Sequence, residues 1–417
     1  MRRLFDEKES WSREERKKRQ DQALSRMVRL GYKQSPRLKK MLDSHKINPT
    51  KIKTREDLEM LPVTTREKLV EMEMNKPPYA GLENPALAID RIFTSPGPVY
   101  EPHLSETDYL WARAFFAAGI GPKDIALNAF SYHLVAAGLT FHNGLRKVGA
   151  TVVPSGTSSS QIQVQLIKDL KVTAYVGTPS FLMSIIEKSK ELGFDFRKDF
   201  RVRKACFTAE PLLPQLKEKF EKEYGLATYS MYGATEVGDV AYECSKKSGW
   251  HICEETIVEI VDPATGKNVA PGELGEVVVT RLNDIFFLLR FGTGDLSRFI
   301  DQKCSCGRTS RRLAGIAGRV GDAVKVRGLF IAPSQLRMLS GKFEQLPLQA
   351  IVSRSGHEDV LRICVEKSNS TIGTGVWENN FKKAFKDVCT VKIDVLEYVE
   401  KGTIQADQKM ILDSRSW

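Results

Sequence analysis

The residues whose types best suit chemistry follow a short predicted strand in the segment YSMYGATE. The strand ends at Tyr232 and breaks at Gly233, where the missing side chain would let the backbone approach a ligand closely. On the turn that follows, Thr235 can hydrogen-bond a phosphate oxygen, and Glu236 can hold a magnesium ion through oxygen. The ring of Tyr232 can lie against a base, and Asp295, at a later turn, can accept both hydroxyls of a ribose. Together these residue types predict a nucleotide site.

A second group of residues has the composition of a metal site. Cys244 and His251 are followed, after a long β segment, by Cys304 and Cys306 in the sequence CSCGRT. Zinc takes four soft or borderline ligands in a tetrahedron, and four protein ligands leave no open coordination position. We therefore predict a structural Zn²⁺ on these four residues, with Cys253 as the reserve ligand. Ordinary thiols beside a loop are the alternative.

The composition limits the class of protein. The chain has 417 residues, 41% of them hydrophobic and 28% charged, which is enough for two or three domains with cores. No stretch approaches the roughly 20 apolar residues that span a bilayer. The opening sequence MRRLFDEKES has no apolar segment of the kind found in signal peptides. We expect a soluble, cytoplasmic protein with no membrane partner.

The net charge of +11, with an isoelectric point near 9.2, has two interpretations. One is nucleic-acid binding. The other is a solvated basic surface, which can also help to capture polyanionic substrates. Because no basic patch is interleaved with aromatic residues, we expect no nucleic-acid partner. The sequence leaves a homodimer open.

A scaffold of alternating strands and helices is predicted around these residues. Buried strands are predicted at residues 124–130 and 150–154, and strand–turn–helix segments at 173–182 and 204–216. Strands that alternate with helices indicate a parallel α/β core. Two further segments, 256–261 and 275–280, alternate apolar and polar residues around a turn rich in Gly and Pro, which predicts a β-hairpin.

The order of several motifs resembles that of one enzyme family. YGATE, LLRFGTGDL, CSCGRT and GRVGDAVKVRG follow one another as in the adenylate-forming acyl-CoA ligases. ECSKKSGWHICEE, CSCGRT and APSQL are similar to the phenylacetate-CoA ligase branch of that family. The resemblance covers nearly the whole chain and implies an α/β fold. A large N-terminal AMP-binding domain with a small β-barrel subdomain would span residues 1–318.

A small, mobile C-terminal α+β domain would span residues 319–417. Strands predicted at 351–364 and 391–398, with a helix at 377–385, fit such a domain. The resemblance implies that this domain rotates between two half-reactions. Gly321 is the expected hinge, because a glycine absorbs a large backbone rotation. Lys325 and Gly328 would face the site in the rotated state.

The resemblance also assigns a phosphate loop. Thr94, Ser95 and Gly97 fall where the family keeps a loop rich in Ser, Thr and Gly, which holds phosphates with N–H groups and hydroxyls. Tyr100 and Glu101 stand where the family prefers Gly and Lys, and prolines at 96, 98 and 102 remove backbone donors. These departures predict weak binding of ATP relative to AMP.

Other residues match the family singly. Glu210 and Pro211 match the segment whose backbone lies along the adenine, although Ala209 precedes them where the family has Gly. Arg319 matches an arginine near the phosphates or the ribose. Lys409 matches a catalytic lysine that would bridge the carboxylate and the α-phosphate, where negative charge builds up. A merely solvated lysine is the alternative for Lys409.

The implied activity is ATP-dependent activation of an aromatic or other organic carboxylic acid as an acyl-adenylate, followed by transfer to CoA. ATP or AMP, CoA and Mg²⁺ are the implied substrates and cofactors, and Mg²⁺ would offset the phosphate charge. Two alternatives stay open: an adenylating enzyme with a non-CoA acceptor, and a non-catalytic relative that binds nucleotide or acyl groups. The altered phosphate loop favours the latter, whereas the YGATE and FGTGD segments favour an enzyme.

Overall fold

The structure is a computed structural model that describes residues 4–95, 99–105, 110–327, 329–355, 358–367, 372–405 and 408–415. The chain forms two compact units. The first comprises Met1–Val258, Val278–Thr293 and Ile300–Ala314, and the second comprises Glu259–Val277, Gly294–Phe299 and Gly315–Trp417. The domain boundary predicted at residue 319 stays a prediction, and two earlier segments, Glu259–Val277 and Gly294–Phe299, belong to the second unit.

The helices of the first unit begin mostly at residues that cap them. They are α1 (Arg13–Gln34), α2 (Pro36–Ser44), α3 (Arg66–Asn75), α4 (Ala112–Ala117), α5 (Ala136–Lys147), α6 (Ser160–Asp169), α7 (Pro179–Glu191), α8 (Phe196–Asp199) and α9 (Pro214–Lys222). At the start of α3, the Lys68 N–H donates to the Thr65 hydroxyl over 3.3 Å, which satisfies one of the free donors of the first turn. Of the helices in the described ranges, none combines the length and the hydropathy that crossing a bilayer requires.

The strands up to residue 313 include four that continue from one unit into the other. They are β1 (Thr64–Thr65), β2 (Arg91–Ser95), β3 (Val99–His103), β4 (Ile125–Asn128), β5 (Thr151–Val153), β6 (Ala174–Gly177), β7 (Lys204–Phe207), β8 (Ala227–Ala234), β9 (Gly238–Glu243), β10 (Trp250–Ile252), β11 (Thr256–Val261), β12 (Gly275–Arg281), β13 (Phe291–Ser297), β14 (Phe299–Ile300) and β15 (Arg312–Leu313). The four continuing strands are β11 to β14. β11 and β12 are neighbours in one sheet, as expected for the predicted hairpin.

The largest sheet has the strand order β14-β15-β10-β9-β8-β7-β6-β4-β5. Strands β5, β4, β6, β7 and β8 pair in parallel, which confirms the predicted α/β core. Successive side chains of β7 point to opposite faces: Cys206 packs in one apolar cluster, whereas Ala205 and Phe207 pack in another. Helices α4 and α5 contribute residues to the first cluster, and helices α6 and α7 contribute residues to the second.

Two details of this sheet differ from the prediction. β8 extends to Ala234 rather than ending at Tyr232, because a register shift between Tyr232 and Gly233 lets its pairing with β9 continue. β5 is not buried as predicted. It is an edge strand with Thr151 exposed, since it has a neighbour on one side only within the described sheet.

Buried charges hold the N-terminal segment of the first unit. Glu9 is buried and accepts hydrogen bonds from the Tyr242 hydroxyl at 2.6 Å and from Arg308 Nε at 2.5 Å. The Thr309 N–H donates to the Glu9 carbonyl oxygen at 3.0 Å. Because a buried carboxylate needs both charge and hydrogen-bond partners, these bonds anchor the first residues of the chain to a segment near residue 308.

The second unit has a separate core. Its elements are β16 (Gly318–Arg319), β17 (Val324–Val326), β18 (Leu329–Ile331), α10 (Pro333–Lys342), β19 (Leu348–Ser355), β20 (Glu358–Glu366), α11 (Gly375–Cys389), β21 (Val395–Val399) and β22 (Ile411–Asp413). The sheet order is β21-β20-β19-β22, and α11 packs Phe381 and Phe385 into the same cluster as Leu361 and Ile363.

One predicted element of this unit is wrong. The single strand expected at 351–364 consists of two antiparallel strands, in which Ile351 lies opposite Arg362. The polar residues in the middle of that stretch separate the two apolar runs, so each run forms a strand of its own. The helix predicted at 377–385 is confirmed within α11.

Candidate functional site

The turn after β8 brings together residues from three parts of the first unit. Thr235 and Glu236 lie on this turn, and the Thr235 hydroxyl donates to Glu236 Oε2 over 3.3 Å. The other oxygen of Glu236 is ion-paired with Arg66, whose Nη2 is 3.5 Å from Ser95 Oγ. Three predicted residues, Ser95, Thr235 and Glu236, are therefore grouped around one guanidinium.

Arg66 was not among the residues predicted from the sequence. The segment LPVTTREKL, which contains it, predicts only a helix cap at Thr65. A cation directly after a cap is not by itself a functional signal. The role of Arg66 depends on a contact with Glu236, 170 residues away.

The predicted phosphate loop is a β-hairpin in the structure. β2 and β3 pair antiparallel, with Thr94 opposite Tyr100 and Ser95 opposite Val99. Thr94 and Ser95 thus lie on a strand rather than a loop, and the Thr94 N–H donates to the Leu134 carbonyl at 2.9 Å. That N–H is not free for a phosphate. Gly97 and the prolines at 96 and 98 lie outside the described residues.

Two buried carboxyl groups lie at this hairpin, one on the neighbouring helix α3 and one on β3 itself. Glu73 of α3 is 1% exposed, and its Oε2 accepts the Tyr100 N–H at 2.7 Å. Burial, and to a lesser degree repulsion from Glu101, raise the pKa of Glu73 to about 7. Burial also raises the pKa of Glu101, against the attraction of nearby His103 and Arg66.

Tyr232 and Gly233 have structural contacts of their own. Tyr232 is buried, donates its hydroxyl to Thr293 Oγ1 at 3.1 Å, and stacks on Trp250 with 5.8 Å between the ring centroids. At Gly233, a Cβ atom would lie 2.3 Å from the Gly238 carbonyl oxygen and 2.6 Å from the ring of Trp111. Packing alone therefore requires a glycine at this position.

The segment expected along the adenine keeps a glycine-like backbone. Ala209 has a φ of 69°, in the left-handed region that favours glycine, so its backbone has a conformation that the glycine expected here would adopt without strain. Glu210 accepts hydrogen bonds from the Ser180 hydroxyl at 2.7 Å and from the Ser180 N–H at 3.3 Å. Pro211 follows on an exposed loop.

In the second unit, two residues that were predicted separately are partners. Asp295 of β13 lies opposite Arg319 of β16, and Arg319 Nη1 is 2.8 Å from Asp295 Oδ1. The neighbouring Gly294 N–H donates to Glu276 Oε1 at 3.0 Å. An acceptor-only carboxylate is thus held at this point of the strand by a cation.

The structure gives only limited information on the remaining predicted residues of the second unit, Lys325, Gly328 and Lys409. Lys325 is on β17, but its side chain is outside the described part of the chain, as is the whole of Gly328. Lys409 is exposed, and its carbonyl oxygen accepts a hydrogen bond from Gln349 Nε2 at 2.8 Å.

The structure groups the four predicted metal ligands. One ligand atom from each of Cys244, His251, Cys304 and Cys306 lies within 4.8 Å of the others. Cys306 Sγ is 3.3 Å from His251 Nε2, and the Cys244 and Cys304 sulfurs are 3.8 Å apart. This set of soft and borderline donors could hold one tetrahedral ion. The reserve ligand, Cys253, is packed in an apolar cluster instead.

Neighbouring groups orient this cluster. His251 Nδ1 lies 3.4 Å from the Ser310 hydroxyl, which leaves Nε2 for the ion, and the Arg308 N–H donates to Cys306 Sγ at 3.4 Å. The hydrogen bond between Cys244 and Cys306 lowers the pKa of Cys306 and raises that of Cys244.

Comparison with known proteins gives one consistent family. The model of the AMP-binding enzyme family matches residues 104–283. A phenylacetate-coenzyme A ligase of Escherichia coli is 32% identical over 369 residues, which cover 85% of this chain and 83% of that protein. A phenylacetate-coenzyme A ligase of Thermus thermophilus is 30% identical, with coverage of 87% and 84%.

A solved structure shares the fold. An open conformation of 2-hydroxyisobutyryl-CoA ligase, in complex with 2-HIB-AMP and CoA, matches with a TM-score of 0.81 and 23% identity. The match covers 97% of this chain and 93% of that one. At this identity the likeness concerns the fold alone, and it confirms the α/β adenylate-forming fold predicted from the sequence.

Replacement of Glu73 by glutamine is expected to stabilise the protein at high pH only. The folded chain keeps the Glu73 proton up to a pKa of about 7, whereas the unfolded chain releases it near 4.5. Folding therefore becomes less favourable for wild type as the pH rises across this window, by at most about 1.4 kcal/mol per pH unit. Urea unfolding at pH 5 to 8 should show the advantage of the variant growing up to pH 7 and then levelling off.

The control for this series is Glu71→Gln, which alters an exposed carboxylate on the same helix. It should track wild type at each pH. A stability difference between Glu73→Gln and wild type that is the same at pH 5 and pH 8 would contradict the assigned burial effect.

Proposed function

Because the chain belongs to the phenylacetate-coenzyme A ligase family of AMP-binding enzymes, we propose that it joins an aromatic or other organic carboxylic acid to CoA with cleavage of ATP. In the first step, a carboxylate oxygen attacks the α-phosphorus of ATP, and the bond to the leaving pyrophosphate breaks. In the second, the CoA sulfur attacks the acyl carbon, AMP leaves, and the thiol proton passes to solvent. The AMP-forming acid–thiol ligases share this sequence of steps.

The observation that carries the proposal is the relation to curated CoA ligases over most of the chain, together with the turn after β8. On this turn, the hydroxyl of Thr235 hydrogen-bonds a phosphate oxygen, and Glu236 binds Mg²⁺, which offsets the phosphate charge when it is present. Ser95 and Arg66 support this role, because a hydroxyl and a guanidinium close to Glu236 suit an anionic ligand.

The nucleotide contacts proposed elsewhere are assigned by family motif. In the first unit, Tyr232 and Gly233 line the base, Glu210 and Pro211 follow the adenine, and Thr94, Ser95 and Gly97 contact phosphates. In the second unit, Asp295 accepts the ribose hydroxyls, and Arg319 holds that carboxylate by an ion pair. Lys409 supplies the cation for the first step, and Lys325 a contact for the second. The hinge at Gly321 stays a prediction.

The four-residue Cys/His cluster holds a structural Zn²⁺. The support is the spacing of its ligand atoms, with one sulfur and one ring nitrogen already engaged by an N–H and a hydroxyl. Such an ion would join the β10 region to the loop before β15. A homodimer and a cytoplasmic location also stay predictions.

The comparisons do not favour the two alternatives, a non-CoA acceptor and a non-catalytic relative. Pyrophosphate release from ATP, measured with a panel of aryl and acyl acids, tests the first step, and CoA thioester formation tests the second. We expect both activities with at least one acid. Pyrophosphate release without a thioester would indicate another acceptor, and no release with any acid would contradict the proposed activity.

Asp295→Ala is expected to weaken binding of AMP at least tenfold in a folded protein. Each hydrogen bond lost between a ribose hydroxyl and a charged acceptor is worth about 1.5–3 kcal/mol. Isothermal calorimetry with AMP measures the effect, and Asp301→Ala, at an exposed carboxylate of the first unit, is the control. Unchanged affinity in Asp295→Ala would exclude this residue from the ribose site.

One zinc ion per chain is expected to co-purify with the protein, and Cys304→Ser is expected to lose it. Because metal binding adds to folding free energy, this variant should also melt at a lower temperature. Cys364→Ser, at a free thiol of the second unit, should retain the metal. Elemental analysis without zinc in protein prepared free of chelators would reject the site.

A further inference from the structure

Glu101 is a buried carboxylate without a hydrogen-bond partner in the described part of the chain. The residue is 4% exposed, and neither of its two side-chain oxygens makes a hydrogen bond to a described residue. It lines a cavity of about 240 Å³ in the first unit. An unpaired buried carboxylate is costly, so a group that enters the cavity and satisfies these oxygens would be strongly favoured.

Several of the polar groups near Glu101 offer oxygen atoms that could bind a metal ion. Thr235 and Glu236 line the same cavity, and the hydroxyls of Ser95 and Thr235 lie close enough to favour the charged form of Glu101. Glu236 is itself buried, so two buried carboxylates and a hydroxyl face one space. Mg²⁺ prefers such hard oxygen ligands, and it commonly takes one or two carboxylates together with water and substrate phosphates.

At the two carboxylates, the charges favour an added cation over the direct approach of an anion. Arg66 and His103 oppose the charge of Glu101, but Arg66 is already paired with one oxygen of Glu236. A triphosphate that approached Glu101 directly would meet a like charge. A divalent ion would reverse that repulsion, because it binds the carboxylates and offers its remaining positions to phosphate oxygens.

The structure assigns to Glu101 and Glu236 a shared divalent-cation site, which is filled before the nucleotide binds and through which the β2–β3 hairpin holds the triphosphate of ATP. The role of this site in ATP binding rests on the proposed function, whereas the binding of the metal ion itself does not. By the motif resemblance, Glu101 stands at the hairpin position where a lysine is expected. A carboxylate-bound ion there would supply the positive charge by a different route.

The test measures Mn²⁺, a spectroscopic substitute for Mg²⁺, in zinc-loaded protein without nucleotide. Electron paramagnetic resonance titration should give one Mn²⁺ per wild-type chain at this site. Glu101→Gln should weaken that binding at least tenfold, and Glu101→Asp should weaken it less, since it keeps the charge. The matched control is Glu73→Gln, a buried carboxylate beside the same hairpin but outside the cavity lining, and it should bind Mn²⁺ as wild type does.

Nucleotide binding gives a second readout. Glu101→Gln should raise the Kd for Mg-ATP at least tenfold and leave the Kd for AMP unchanged, because AMP lacks the β- and γ-phosphates. Absence of Mn²⁺ binding to nucleotide-free wild type, or equal binding by folded Glu101→Gln, would overturn the assignment. Pyrophosphate release by wild type is scored separately, so an active enzyme without the Mn²⁺ site refutes this inference alone, whereas an inactive protein with the site refutes the proposed activity alone.

Discussion

The reversal of strand direction at β8 is the constraint on which the candidate site depends. β8 pairs in parallel with β7 and antiparallel with β9, so the chain must turn back within residues 235–237. This turn stands at the carboxyl end of the parallel strands, which is the edge where open α/β sheets bind ligands. The backbones at Gly233 and Gly238 approach so closely that no side chain fits at Gly233. The position of Thr235 and Glu236 therefore follows from backbone packing.

A second set of contacts fixes the cation opposite that turn. Residues 64 and 65 pair in parallel with Phe291 and Gly292, and the buried Arg290 donates from Nη1 to the Leu61 carbonyl at 2.6 Å. The segment that leads into α3 is thereby held by strand pairing at residues 64 and 65 and by a hydrogen bond at Leu61. Because Arg66 is the first residue of the helix, these contacts also fix its position next to Glu236. Arg290, which directly precedes the FGTGD sequence, thus helps to position Arg66 by binding the backbone at Leu61.

Much of the architecture can be predicted from local patterns in the sequence. The parallel core around β6 and β7 followed from alternating strands and helices, and the Cys/His grouping followed from residue types that have few other common uses. Contacts between distant residues could not be obtained in this way. The Arg66–Glu236 pair and the burial of Glu101 depend on packing, and a glutamate on a surface loop has the same sequence appearance as one inside a cavity. The single strand predicted at 351–364 is wrong because the polar residues in its middle separate two antiparallel strands.

The anchoring of the first residues has a consequence for how the chain acquires its structure. Glu9 bonds to Arg308, a contact that spans 299 residues, and it would be a buried charge without its cationic partner if its segment packed before Arg308 was in place. During synthesis, the first helix leaves the ribosome long before Arg308 does. The N-terminal segment must therefore stay solvated, or be held elsewhere, while most of the chain is made. Closing a loop between residues so far apart costs conformational entropy, and this carboxylate–guanidinium pair cannot form before residue 308 has been synthesised.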